Sequence, residues 1–158
     1  MQSPFSTQVI DSASGILYPM FDEDTGLVMV VGKGDTVIRF YELSNSSSSS
    51  TFLKSCEYSC VPAEPISGAC VLPKSLCDHR NVEVMRVLKL TESSVAPVSF
   101  ILPRAESLKS YFQDDLFPPT RRRCSNASIA DWVSGNESTL PPPEMVSLKP
   151  GDMELVSV

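Results

Sequence analysis

Basic residues are scarce in this sequence, and histidine and tryptophan scarcer still. Its 158 residues hold 13 Lys and Arg against 19 Asp and Glu, a formal charge of −6, with one His and one Trp. So acidic a chain lacks the basic face that displaces counterions from a polyanion, which excludes a general nucleic-acid binder. One histidine, no G-x-S-x-G elbow and no Cys-His-Asn signature leave nucleophilic catalysis without its parts. No run of about 18 apolar residues is present, so no transmembrane segment is read. The longest apolar stretch, Gly26 to Val31, is strand-sized. Neither a basic n-region nor a continuous apolar h-region opens the chain, so no secretory signal is read and a cytoplasmic location with reduced thiols is expected. The Asn-x-Ser sequons at Asn45, Asn126 and Asn136 then count as chance matches in a serine-rich sequence. With 42% hydrophobic residues and a mean hydropathy of zero, the composition suits a globular core.

Five cysteines, Cys56, Cys60, Cys70, Cys77 and Cys124, are an odd number without framework spacing, so no disulfide scaffold is read. Cys56, Cys60, Cys70, Cys77 and His79 together raise a small zinc or redox protein as an outside reading. Only the first pair has ligand spacing, and Cys70 is expected to be a buried, apolar-behaving thiol within a strand. Gly32-Lys-Gly-Asp35 fails the phosphate-loop pattern and reads as a hairpin turn. Asp22-Glu-Asp-Thr-Gly26 lacks the twelfth-position Glu of a calcium loop, where Lys33 stands, and reads as a solvated turn with positive φ at Gly26. Asp114-Asp115 reads as solvated charge. Arg121-Arg-Arg123 is a short basic run that suits anionic partners or lipid headgroups only weakly. Trp132 is expected to anchor the C-terminal arm on the body. No catalytic, cofactor-binding or metal-binding residue is assigned, and no cofactor.

Along the chain, residues 7–21 hold two short β-prone runs around a Ser-Ala-Ser-Gly turn. Strands are predicted at Leu27–Val31, Thr36–Leu43, Thr51–Ser59, Ile66–Leu72, Val82–Leu90 and Val95–Leu102. In Val82–Leu90 the alternation places Val82, Val84, Val87 and Leu88 or Leu90 in competition for the inward face. The serine tract Ser46–Ser50 reads as a flexible loop. That makes about seven strands over residues 7–103, an all-β meander pattern. Beyond Arg104 the texture turns irregular: two helical turns over Ala105–Phe112, an extended Gln113–Pro119, a short helix at Ile129–Val133 and a weak terminal segment from Met145.

Several stretches share an order and spacing with one known family. They are DSASGILYP from Asp11, FDEDTG from Phe21, VGKGDTVIRFYEL from Val31, LPK from Leu72 and EVMRVLKL from Glu83. PVSFILPR from Pro97, FQDDLFPPT from Phe112, ADW from Ala130 and VSLK from Val146 complete the series. Together they resemble the coronin family of WD-repeat β-propeller proteins over nearly the whole chain.

The resemblance implies an all-β fold: the last two blades of a seven-bladed propeller, each a four-stranded antiparallel meander, plus an irregular C-terminal extension. On it, residues 7–59 form a blade with a preceding strand and 60–104 the final, incomplete blade. Residues 105–158 form the extension that packs on the propeller. The chain is expected to be a fragment of a longer protein, since two blades alone leave an apolar face and sheet edges uncovered. The resemblance implies a non-catalytic scaffold that binds actin filaments and regulates the actin cytoskeleton. It leans to the long subtype with tandem propellers, which adds Golgi or vesicle trafficking. The alternative is a protein-interaction adaptor in membrane traffic without direct actin contact. The implied location is cytoplasmic and cytoskeleton-associated, or peripheral at Golgi or vesicle membranes. The partners implied are actin filaments and trafficking adaptors, and no heptads provide a coiled coil for oligomerisation. Actin-contact residues are left unassigned, because those credited in the family lie in early blades that this chain does not contain. Arg121–Arg123 replaces a more neutral stretch of the family, and Ser46–Ser50 is an insertion.

Overall fold

The structure, a computed structural model, describes residues 7, 9–10, 12, 15–43, 53–108, 110–123, 125, 127–135 and 143–151. The sequons, Cys124 and the Ser46–Ser50 tract lie outside the described residues.

Seven of the strands build two antiparallel sheets. The first has the order β1-β2-β3-β4, from Leu17–Asp22, Leu27–Gly32, Val37–Leu43 and Leu53–Ser59. The second has the order β5-β6-β7, from Gly68–Val71, Glu83–Leu90 and Val95–Ile101. Each sheet follows chain order, as turn-linked strands of this length do. Thr7 and Val9–Ile10 form no strand, and Val9 is exposed. The turns follow from their glycines. Gly26 and Gly34 have φ of 69° and 92°, a region costly for side chains with a Cβ. Gly32 serves differently, because a Cβ there would lie 2.4 Å from Asp35 Oδ2.

The core lies between the sheets. Met29, Val31, Ile38 and Phe40 of the first meet Val84, Met85 and Val87 of the second, with Ile66, Phe117 and Leu148. Backbone bonds sew the junction: Ile66 N–H donates to Asp35 O and Gly34 N–H to Ile66 O, both at 2.8 Å. Phe100 sets its ring edge-on to Phe40 and Tyr58, at 4.7 and 5.2 Å.

Strand β6 departs from simple alternation. Val82 does not begin it but adopts a left-handed conformation (φ 58°), and a bulge follows between Glu83 and Met85. The extra residue shifts the phase of the strand's start. Glu83, Val84 and Met85 are consequently all buried, as is Lys89, while Leu90 is 44% exposed. Cys70 is exposed, a correction to the expected buried thiol, because it pairs with Leu88 on the uncovered face of the second sheet.

The arm also differs from its reading. Residues 105–108 and 110–112 make turns and bends instead of helix, with Leu108 N–H bonding Ala105 O and Tyr111 N–H bonding Leu108 O. Gln113–Pro119 is not extended throughout. The buried Gln113 amide donates to Leu108 O (2.7 Å) and Tyr111 O (2.8 Å), and Gln113 O accepts from Leu116 and Phe117 N–H. That turn drops Phe117 into the core. A two-stranded ribbon follows, β8 (Thr120–Arg121) with β9 (Met145–Val146).

Between them stands α1, Ile129–Ser134, closed by a Ser128–Asp131 capping box and by Gly135 in the left-handed region. Trp132 is 79% exposed and Ile129 84%, so Trp132 does not anchor the arm. The caps shape α1, and Phe117 and Leu148 do the anchoring. Because α1 packs so little, Ser128→Ala is expected to cost about 1 kcal/mol locally. The check is amide exchange at Trp132, expected to quicken about fivefold with the thermal midpoint unchanged.

Candidate functional site

The first sheet's β1–β2 turn, the 3₁₀ turn Lys74–Leu76 and the β8–β9 ribbon wall a groove of about 1080 Å³. Its base is built around Asp22, the last residue of β1. The Asp22 carboxylate accepts from Thr25 Oγ1 at 2.6 Å and forms an ion pair with Lys74. Lys74 Nζ also donates to Val84 O of β6 at 2.6 Å. Both side chains are nearly buried, at 12% and 8% exposure. One lysine therefore ties the turn of the first sheet to the middle strand of the second. The mouth is charged but balanced. Arg121 meets Glu23 across it at 3.2 Å, and Arg122 pairs with Glu144 along the ribbon at 2.8 Å.

A second polar knot lies beside the groove. Glu83 is buried, and its carboxylate accepts from Arg86 Nε at 2.7 Å, from Asp78 N–H at 2.5 Å and from Ser99. Burial alone would push this carboxyl up; the hydrogen bonds from Arg86, Ser99 and the Asp78 backbone outweigh it and hold the pKa at about 2. His79 donates from Nε2 to Lys74 O at 2.8 Å and sets its ring edge-on to Phe117 at 4.9 Å. Burial pushes its pKa down, so the imidazole is neutral at pH 7 and serves packing.

The sequence motifs are scattered rather than gathered. Asp22–Gly26 and Arg121–Arg123 meet at the groove. Gly32–Asp35 lies at the junction between the sheets, with Asp35 pairing with Arg39 at 2.7 Å. Asp115 pairs with Arg104 at 2.5 Å while Asp114 is exposed. Among the described residues no three His, Cys, Asp or Glu come together as metal ligands. Burial raises the thiol pKa of both Cys60 and Cys77, which keeps the sulfurs protonated and poor as ligands or nucleophiles. Lys74 and Glu83 stood in the family motifs without an assigned role and Glu144 in none, since single charged residues in ordinary turns and strands carry no spacing signal.

A family model described as a type of WD40 repeat matches residues 95–140. The crystal structure of the WD40 domain from Toxoplasma gondii coronin is similar with a TM-score of 0.72 and 34% identity. The match covers 89% of this chain and 34% of that one. The fold is that of part of a WD40 β-propeller. Coronin-7 of Homo sapiens is 41% identical over 155 residues, which is 98% of this chain and 16% of that protein. Coronin-A of Dictyostelium discoideum is 38% identical over 155 residues, 98% of this chain and 33% of that protein. Coronin-2A of Mus musculus is 38% identical over 150 residues, 94% and 27% respectively. Over nearly its whole length the chain is homologous to coronins, a family whose WD40 propellers are non-catalytic scaffolds. It spans between 16% and 33% of the length of these relatives.

Proposed function

We propose that the chain serves within a coronin-like scaffold that binds actin filaments and regulates cytoskeletal organisation in the cytoplasm. The observation that carries this reading is identity of 38–41% to coronins over 98% of the chain, with matching tertiary structure. The four-stranded and three-stranded sheets correspond in this reading to the last two propeller blades, over residues 7–59 and 60–104. Residues 105–158 are then the extension that packs on them. Burial of Phe117 and Leu148 against the sheets supports that assignment. The test is co-sedimentation of the protein carrying this chain with filamentous actin at low salt. Pelleting above background is expected, and its absence overturns the actin assignment.

A second reading, an adaptor in Golgi or vesicle traffic, is favoured by the 41% identity to Coronin-7. The same 155 residues are 16% of that protein and 33% of Coronin-A, so Coronin-7 is about twice as long, as a tandem-propeller subtype requires. Recovery with Golgi membranes that persists after actin depolymerisation supports it; loss of recovery on depolymerisation overturns it.

A further inference from the structure

Arg121-Arg-Arg123 is the one run of three basic residues in the chain, and two of the three stand at set distances from a serine. Arg122 and Arg123 lie three and two residues ahead of Ser125, and no other Ser or Thr of the chain has arginine at both positions. Guanidinium groups at fixed steps before a hydroxyl are what an arginine-directed protein kinase reads, through carboxylates that grip each planar fork in two places. Such a pattern counts only where the fold presents it. Arg122 N–H donates to Glu144 O at 2.8 Å, beyond β8, and α1 begins at Ile129. Between them Arg123 and Ser125 are exposed and belong to no helix or strand. Ser125 Oγ makes a short local bond, donating to Ala127 O at 2.7 Å. The Arg122 side chain pairs with a Glu144 that is 61% exposed, and an ion pair so open is weak enough to give way to another carboxylate. Charged and hydroxyl groups are costly to bury without partners, so the exposure of this stretch differs in kind from that of an apolar face awaiting a neighbouring sheet.

We propose that Ser125 is a phosphorylation site for an arginine-directed serine kinase. Ser125 Oγ attacks the γ-phosphorus of the nucleoside triphosphate that the kinase holds. The Oγ–P bond forms as the bond from the γ-phosphorus to the β–γ bridging oxygen breaks. Nucleoside diphosphate leaves, and the hydroxyl proton passes to a kinase carboxylate. The phosphoserine carries a charge of about −1.5 to −2, which offsets much of the positive charge of Arg121–Arg123. Its ester oxygen holds no proton, so the bond from Ser125 Oγ to Ala127 O is lost. The site is independent of the actin reading, and filament co-sedimentation can fail while it stands.

The test incubates the full chain, and separately the longer protein that carries it, with a purified arginine-directed serine kinase and radiolabelled Mg-ATP. Incorporation of about one phosphate per chain is expected in both, mapped to Ser125 by peptide mass spectrometry. Ser125→Ala is expected to abolish it. Arg122→Ala and Arg123→Ala are each expected to slow it about tenfold, while Arg121→Ala, one step outside the pattern, changes it less than about twofold. Ser107, with Arg104 alone three residues ahead, is the internal comparison and is expected to stay unmodified. The four substitutions fall on a surface segment, so an unchanged thermal midpoint serves as the folding control. Phosphate mapped to another residue overturns the proposal. So do rates that Arg122→Ala and Arg123→Ala leave unchanged, or an equal loss for Arg121→Ala, which would mark a general response to positive charge. Modification of the chain but not of the longer protein overturns it too, because the rest of that protein then covers Ser125.

Discussion

Glu83→Ala is expected to destabilise the fold by about 3 to 5 kcal/mol, the cost of breaking a buried charged pair from one side. The carboxylate is 1% exposed and gathers donors from three segments: the Asp78 backbone ahead of β6, Arg86 within β6 and Ser99 on β7. Its removal leaves these donors unsatisfied at the start of the strand that centres the second sheet. The same carboxyl sets a pH dependence. Its folded pKa lies at about 2 against an ordinary 4.5, so the folded state prefers the ionised form. That contribution is fully present above pH 4.5 and is lost as the pH falls from 4.5 through 2. A shift of that size corresponds to about 3 kcal/mol. Urea unfolding midpoints across that window are the measurement. Glu83→Gln, which keeps the volume, is expected to flatten the profile relative to the unsubstituted chain; parallel profiles rule Glu83 out as the group responsible.

Lys74→Met is expected to cost about 3 kcal/mol. The substitution keeps the apolar stem but strands the Asp22 carboxylate at 12% exposure without its counter-charge. It also removes the donor to Val84 O, so the turn of the first sheet and β6 of the second lose their shared contact. Adding Asp22→Asn to Lys74→Met is expected to recover part of the loss, because the unpaired buried charge then disappears. The exposed Arg121–Glu23 pair is the control. Its side chains are 57% and 61% exposed, and Arg121→Ala is expected to cost under about 1 kcal/mol. Chemical denaturation of the three variants beside the unsubstituted chain measures the contrast. Equal losses for Lys74→Met and Arg121→Ala would remove Lys74 from its place as the tie between sheets.

Much of the sheet architecture was legible in the residues. Leu27–Gly32 and Val37–Leu43 announce themselves by β-branched runs bounded by Gly26 and by Gly32-Lys-Gly-Asp35, where backbone conformation or space demands glycine. Ile129–Ser134 was legible for the same local reason, since Ser128 and Gly135 cap it. The failures are equally local in origin. Periodicity assumes one residue per step, and the bulge at Glu83/Met85 breaks that assumption, burying a glutamate. The turn at Gln113 depends on carbonyls of Leu108 and Tyr111 arranged by the preceding turns, which no propensity scale contains. Trp132 invited an anchoring role because a lone tryptophan is usually buried; here Phe117 and Leu148 occupy that position instead.

The acidic balance and the single histidine, read alone, set aside nucleic-acid binding and nucleophilic catalysis, and the motif order pointed to a coronin-like propeller. These are properties of composition and local pattern, which a linear chain carries in full. The groove is of another kind. Asp22 and Lys74 stand far apart in the chain, as do Glu23 and Arg121, and only the packing of the two sheets and the ribbon brings them within bonding distance. The same packing leaves Asp24 and Arg123 without side-chain partners among the described residues, and Phe21, Leu76 and Met145 more than half exposed. Composition states only how few positive charges there are; tertiary structure decides which of them are paired, as Lys74 is with Asp22 and Arg121 with Glu23.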